Sequence, residues 1–349
     1  MAVHDAWVEQ AETLARRLMT ARDIETLVAL TPQIRAIAIE MVDSDAGGGL
    51  VARTLSALND ALSIRVIDLV AQRHRLPSAP WCWLALGSEG RGEQTFVTDQ
   101  DNGIVFAATD AAEARMLRPL LLACAAEVNQ ALAACGFPLC EGGIMAGNAD
   151  CCLSLTEWQA RFIGWVRTPD PQALLNATIF FDLRALQGAT GLVDELRAYL
   201  ARITTGADAF LRLLAENALT AAPPLGFLRD FAAKDGLVDL KKFGARLFVD
   251  AARILGMGSV SPSTVARLRH VSTAGLLRPA EVEAAIGAFH HLQRMRLLTQ
   301  QRAIIDNTPP TNQLAPQQLN AFDRHILHEA FKQARLLQQR LKISYSIEG

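Results

Sequence analysis

The sequence predicts an α+β fold that is mostly α: a helical N-terminal arm, a small α/β segment and an all-helical C-terminal region. Three observations predict it. Apolar residues recur near a 3.6-residue period through residues 4–75. Two short apolar runs edged by Gly and Pro, residues 81–86 and 102–107, break that period. Helical periodicity returns at Thr156 and continues to the C-terminus, interrupted by Pro and Gly.

In the arm, Leu14, Leu18, Ile24, Leu27 and Val28 form one apolar series. Leu58, Leu62, Val66 and Leu69 form another after Gly47-Gly48-Gly49. Residues 81–86 follow Pro77 and Pro80 and end at Gly87-Ser88, which reads as a strand running into a glycine turn; residues 102–107 read as a second strand. Residues 110–134 are Ala- and Leu-rich and helical, stopped by Gly136 and Pro138. Pro119 within them predicts a kink or the first turn of the helix proper. Residues 139–155, rich in Gly and Cys, read as a third strand or hairpin.

Beyond that point breaks fall at Thr168-Pro169, Gly188, Pro223-Pro224, Gly256-Met257-Gly258 and Asn307-Thr308-Pro309-Pro310. The last two helices span 279–305 and 316–343. The division is therefore 1–75, helical; 76–155, α/β; 156–349, helical. The helix opening at Thr156 and the final helix are expected to pack near the α/β segment.

Composition narrows the function classes. A chain of 349 residues, half of them hydrophobic, can bury a large core without disulfides or structural metal. The net charge of −2 argues against a nucleic-acid coat or a polybasic membrane binder. Apolar stretches are short of the roughly 20 residues a bilayer span needs, and no secretory leader is visible, so a cytoplasmic protein is expected. Cys82, Cys124, Cys135, Cys140, Cys151 and Cys152 lack paired Cys-x-x-Cys spacing and read as buried reduced thiols. His325 and His328 have no partner ligands and read as surface or packing residues.

The informative stretch is residues 86–102. A strand ending at Gly87-Ser88 allows close backbone approach beside a hydroxyl, a setting suited to phosphate. Asp99 and Asp101 are two apart, which on extended backbone puts both carboxylates on one face. Converging carboxylates repel unless a hard cation lies between them, and Mg²⁺ takes one or two carboxylates together with substrate phosphate oxygens. A solvated acidic turn is the alternative. The density of charge between two apolar strands favours function.

Gly87-Ser88, ten residues, then Asp99-Gln100-Asp101 resembles the signature of the polymerase-β-like nucleotidyltransferase superfamily. In detail, 87–94 with 98–102 looks like the nucleotidyltransferase family often fused to CBS and cyclic-nucleotide-binding domains, related to PII-protein uridylyltransferases. Residues 140–158, 180–188, Asp239-Leu240-Lys241-Lys242-Phe243-Gly244 and Pro310-Thr311-Asn312 fit the same family. The resemblance covers most of the chain, which has no room for CBS domains.

The resemblance implies a small polymerase-β-like domain and a helical substrate-binding region. It implies that Asp99 and Asp101 hold Mg²⁺ (or Mn²⁺) on a nucleoside triphosphate. Gly87 and Ser88 would contact its β- and γ-phosphates, and Arg91 would neutralise the leaving pyrophosphate. An exposed turn arginine is the alternative for Arg91. Glu93 and Gln94 either orient Arg91 or cap the short helix. The superfamily commonly has a third carboxylate, for which Glu141 and Asp182 are the candidates and Asp150 the weakest; Asp182 could equally be an ion pair joining the two regions. The implied reaction is transfer of an NMP to an acceptor hydroxyl, the relatives pointing to uridylylation or adenylylation of a protein. Without a third carboxylate, the chain would be a nucleotide-binding regulatory or interaction module. A homodimer through the C-terminal helices is compatible with either reading.

Overall fold

A computed structural model describes residues 2–226, 231 and 236–348. Its centre is a four-stranded mixed sheet in the order β3-β2-β1-β4. The arm supplies α1 (Ala2–Thr20), α2 (Ile24–Asp43) and α3 (Gly48–Ala71). Then come β1 (Trp81–Ala85), the single turn α4 (Gly87–Gly90), β2 (Asn102–Phe106) and α5 (Ala111–Ala134). Strand β3 (Cys152–Ser154) leads into α6 (Leu155–Arg167) and α7 (Pro171–Phe180), followed by β4 (Arg184–Gly188). The remaining helices are α8 (Thr190–Thr204), α9 (Asp208–Leu219), α10 (Arg246–Leu255), α11 (Thr264–Thr273), α12 (Pro279–Ile305) and α13 (Ala321–Ser344).

Side-chain alternation on β1 explains why the sheet is sandwiched. Trp83 and Ala85 face a core shared with α1, α2, α3 and α5. Cys82 and Leu84 face the opposite core, built from α6 to α13. On β2, Ile104 and Phe106 join the first core and Val105 the second. A strand covered on both faces reads as a continuous apolar run, which is how these two appear in the sequence. Burying both faces of so short a sheet is what anchors the two helical layers to one frame.

The helix ends follow their capping residues. Asp110 accepts from Ala112 and Glu113 N–H, both at 2.8 Å, and opens α5. That helix continues through Pro119. Ser154 and Glu157 form a reciprocal capping box at the start of α6. Trp158 on α6 donates its indole N–H to the Ile104 carbonyl at 2.9 Å, fixing the helix against β2.

The structure departs from helix-only expectation after residue 156 in two places. Strand β4 pairs antiparallel with β1 and contains a bulge beside Trp83 and Leu84. Its sequence, Arg-Ala-Leu-Gln-Gly, carries little apolar signal because it is an edge strand with one buried residue, Leu186. Polar anchors hold it instead: Arg184 pairs with Asp60 of α3 at 2.9 Å, and Gln187 donates to Asp68 at 2.6 Å. A two-residue ribbon, β5 (Val238–Asp239) with β6 (Gln313–Leu314), is the second departure. Residues 139–151 are loop and a short 3-10 turn, so the third strand is shorter than the Gly/Cys-rich stretch suggested. Helix α6 packs on the sheet as expected, whereas α13 lies on α12, α10 and α9. Among the described residues no helix is long and apolar enough to cross a membrane.

Candidate active site

The stretch between β1 and β2 is laid out by alternation. Gln100 and Asn102 point inward: Gln100 donates to the carbonyls of Asn129 and Phe137, both at 2.9 Å, and Asn102 accepts from Ala146 N–H at 2.8 Å. Asp99 and Asp101, one residue out of phase, therefore face the other way. Gly87 turns at φ 54°, and a Cβ on it would stand 2.7 Å from Asp101 Oδ2. The Gly-Ser turn and the Asp-x-Asp pair are thus brought together.

A third group joins them. The ligand atoms of Asp99, Asp101 and Cys140 lie within 4.8 Å of one another. The Cys140 thiol donates to Asp101 Oδ1 at 3.6 Å. Burial, then the neighbouring Asp99 charge, pushes the Asp101 carboxyl up to about 6. Burial also raises the Cys140 thiol. Two acids and a thiol converging at this range form a donor set that fits a divalent cation. Cys140 is half-buried, unlike the other five cysteines. Its place at the site had no signal in the sequence beyond the Cys-Glu-Gly-Gly turn.

Gly87, Ser88, Asp99 and Asp101 line a cleft of about 200 Å³ whose far wall is largely basic, with Lys241, Arg246, Arg253 and Arg296 beside Asp250. Asp239 accepts from the backbone N–H of Lys241 and Lys242 at 2.9 and 2.8 Å, which orders the start of a π-helical turn. Asn312 Oδ1 accepts from Arg296 and Gln300, both at 3.0 Å. Burial, then the charge of Arg91, lowers the Arg296 guanidinium to about 10. The sequence showed the Asp239–Lys242 and Pro310–Asn312 segments but not that they adjoin, Leu240 N–H donating to the Asn312 carbonyl at 3.0 Å.

Asp182 is fully buried and accepts from three arginines, which removes it as a metal ligand. Arg91 Nη1 reaches it at 2.5 Å, Arg253 Nε and Nη2 at 3.0 and 2.7 Å, and Arg267 Nη1 completes the set. Burial alone would raise the Asp182 carboxyl; Arg253, Arg267 and Arg91 outweigh it and hold the group well below the ordinary carboxylate range. The inter-region ion pair is therefore the reading that the geometry favours. Arg91 is only 12% exposed and also pairs with Glu93 at 2.8 Å, so it is no free turn arginine. Glu93 in turn accepts from the N–H and hydroxyl of Thr264, at 2.7 and 2.9 Å, capping α11 rather than α4. Gln94 is buried against α3, accepting from Asn59 at 3.1 Å.

Glu141 is exposed beside Cys140, outside the group of close ligand atoms. Asp150 is exposed and pairs with Arg161 at 3.1 Å. Among the described residues, no third carboxylate joins Asp99 and Asp101. Glu89 is buried on α4; burial, then Asp60, pushes its carboxyl up to about 8.

A search of curated proteins finds no match. Residues 32–172 match the family model described as "Putative nucleotidyltransferase DUF294". Residues 208–345 match the model described as "Putative nucleotidyltransferase substrate binding domain". The first match contains the Gly-Ser turn, both aspartates and Cys140, the second contains the basic wall, and the chain belongs to this nucleotidyltransferase family.

Proposed function

We propose that the chain transfers an NMP from a nucleoside triphosphate to an acceptor hydroxyl, and that the acceptor is a protein. One observation carries this reading: two adjacent carboxylates beside a Gly-Ser turn face a basic wall across a small cleft. Asp99 and Asp101 would hold a divalent cation, Mg²⁺ or Mn²⁺, which supplies Lewis-acid stabilisation to the phosphates. Ser88 and the close-approach turn at Gly87 suit the phosphate end of the nucleotide. Lys241 and Arg296 suit the charge that gathers on departing pyrophosphate. In the transfer, the acceptor oxygen bonds to the α-phosphorus, the bond to pyrophosphate breaks and the hydroxyl proton is released.

The acceptor reading draws on a second cleft, of about 930 Å³, between α3, α11 and α12. It shares Arg91, Glu93, Phe289 and Gln293 with the smaller cleft, so a bulky acceptor seated there would lie next to the nucleotide. Its walls mix small apolar residues with polar groups and charges of both signs rather than forming a closed aromatic pocket, which favours a macromolecule over a small molecule.

The absence, among the described residues, of a third carboxylate beside Asp99 and Asp101 supports a second reading, a nucleotide-binding regulatory module. Incubation of the purified chain with each labelled NTP, a divalent cation and extract from its own source separates the two. Pyrophosphate release with label on a protein, lost in Asp99→Asn, supports transfer. Nucleotide binding without pyrophosphate release supports the module. Label confined to small molecules removes the protein acceptor.

A further inference from the structure

The thiol in the cation site has a defined geometric consequence. Residues 138–144 are bracketed onto the entry of β2 by two backbone hydrogen bonds, Gln100 N–H to the Pro138 carbonyl and Asn102 N–H to that of Ile144, both 3.1 Å. Cys140 lies midway along this bracket, in a turn closed by Gly143 N–H to its own carbonyl at 3.0 Å. Its sulfur is therefore fixed opposite Asp101 by main-chain contacts on either side. A tetrahedral ion with sulfur at about 2.3 Å and oxygen at about 2.1 Å requires those two atoms to be about 3.6 Å apart. The observed separation of Cys140 Sγ and Asp101 Oδ1 is 3.6 Å.

We propose that Cys140 is the third protein ligand of the cation held by Asp99 and Asp101, so that the site prefers a thiophilic divalent ion of the Zn²⁺ and Co²⁺ class to Mg²⁺. This rests on the reading of the two aspartates as cation ligands. Thiolate selects softer ions, whereas Mg²⁺ is held by oxygen alone. Three protein ligands leave a fourth position open, the arrangement of sites that bind substrate at the metal. On binding, the S–H bond breaks, a sulfur–metal bond forms and the proton passes to water. The other five cysteines are buried and offer no competing site.

Co²⁺ titrated into the full chain without nucleotide tests this by absorption. The expected result is a thiolate-to-cobalt charge-transfer band that disappears in Cys140→Ser. That variant should still bind Co²⁺, at least about ten-fold more weakly. A second measurement needs no variant: iodoacetamide alkylation of Cys140, followed by peptide mass spectrometry, should be slowed by Zn²⁺ or Co²⁺ and not by equal Mg²⁺. A band that persists in Cys140→Ser, or alkylation indifferent to Zn²⁺, overturns the proposal. Co²⁺ binding that depends on Asp99 and Asp101 yet shows no thiolate band removes Cys140 and leaves the cation site standing. No Co²⁺ binding at all removes both.

Discussion

Neutralising Asp182 is the sharpest test of how the two helical layers are joined. In the native cluster the buried Arg91, Arg253 and Arg267 meet Asp182, Glu93 and Asp250, and Asp250 also pairs with the more exposed Arg246 at 3.2 Å. In Asp182→Asn, Arg91 keeps Glu93 and Arg253 keeps Asp250. Arg267 keeps only the Phe181 carbonyl, at 3.0 Å, while remaining buried. The substitution therefore strands one guanidinium without a carboxylate, and breaking a buried pair in this way costs about 3–5 kcal/mol. For a chain of 349 residues that lowers the melting temperature by roughly 4–7 °C. Arg267→Met, which removes the stranded charge itself, should cost less. Arg269→Ala, which breaks an exposed pair with Glu283, should cost least. Calorimetry on the four proteins gives the order directly. An Asp182→Asn melting point within two or so degrees of the parent, or equal to that of Arg269→Ala, would refute the cluster's structural role. Unchanged Co²⁺ affinity in Asp182→Asn is also expected, because no oxygen of Asp182 is free for a metal.

Three further outcomes are expected. The double variant Asp99→Asn with Asp101→Asn should lose cation-dependent nucleotide binding by calorimetry while its circular dichroism is unchanged; retained affinity would place the cation elsewhere. Glu89 keeps a proton in the folded chain up to about pH 8 that the unfolded chain releases near 4.5, so stability falls as pH rises through that window. Glu89→Gln should remove this slope and gain a few kcal/mol over the parent at pH 8, read from urea midpoints at pH 5 and pH 8; parallel pH profiles would contradict it. Gly90→Ala should destabilise by at least about 1–3 kcal/mol, since its Cβ would fall 1.9 Å from the Asp182 carbonyl oxygen, and an unchanged midpoint would show that the approach is not tight.

What could be read from the sequence follows the range of the interactions. The strands β1 and β2, the helical stretch that became α5 and the shared face of Asp99 and Asp101 depend on neighbours a few residues away, and each was legible. Strand β4 was not, because an edge strand anchored by Arg184 and Gln187 needs no apolar alternation. Asp182 stood out, but its partners Arg253 and Arg267 lie 71 and 85 positions on, so local pattern could not decide between a metal ligand and an ion pair. Cys140 was grouped with the buried thiols because composition predicts burial and says nothing of which cysteine the chain folds back beside an aspartate 39 positions earlier.

The same alternation that made the site legible also explains its dependence on both halves of the chain. Between β1 and β2, inward residues Gln94, Gln100 and Asn102 tie the segment to α3, α5 and the loop before β3. Asp99 and Asp101 are thereby aimed at the cleft without making those contacts themselves. Arg91 and Glu93 tie the same segment to Asp182 and the start of α11. The cleft's basic wall comes from α10, α12 and the turn before α10, which the buried Asp182 cluster holds against this segment. Two carboxylates and a basic wall attract each other's counter-charge only if their separation is kept. A buried ion cluster is well suited to that task, because its geometry is fixed by directional hydrogen bonds that apolar packing does not supply. The arginines therefore matter to the site through position: they set the distance across which the aspartates face the lysine and arginine wall.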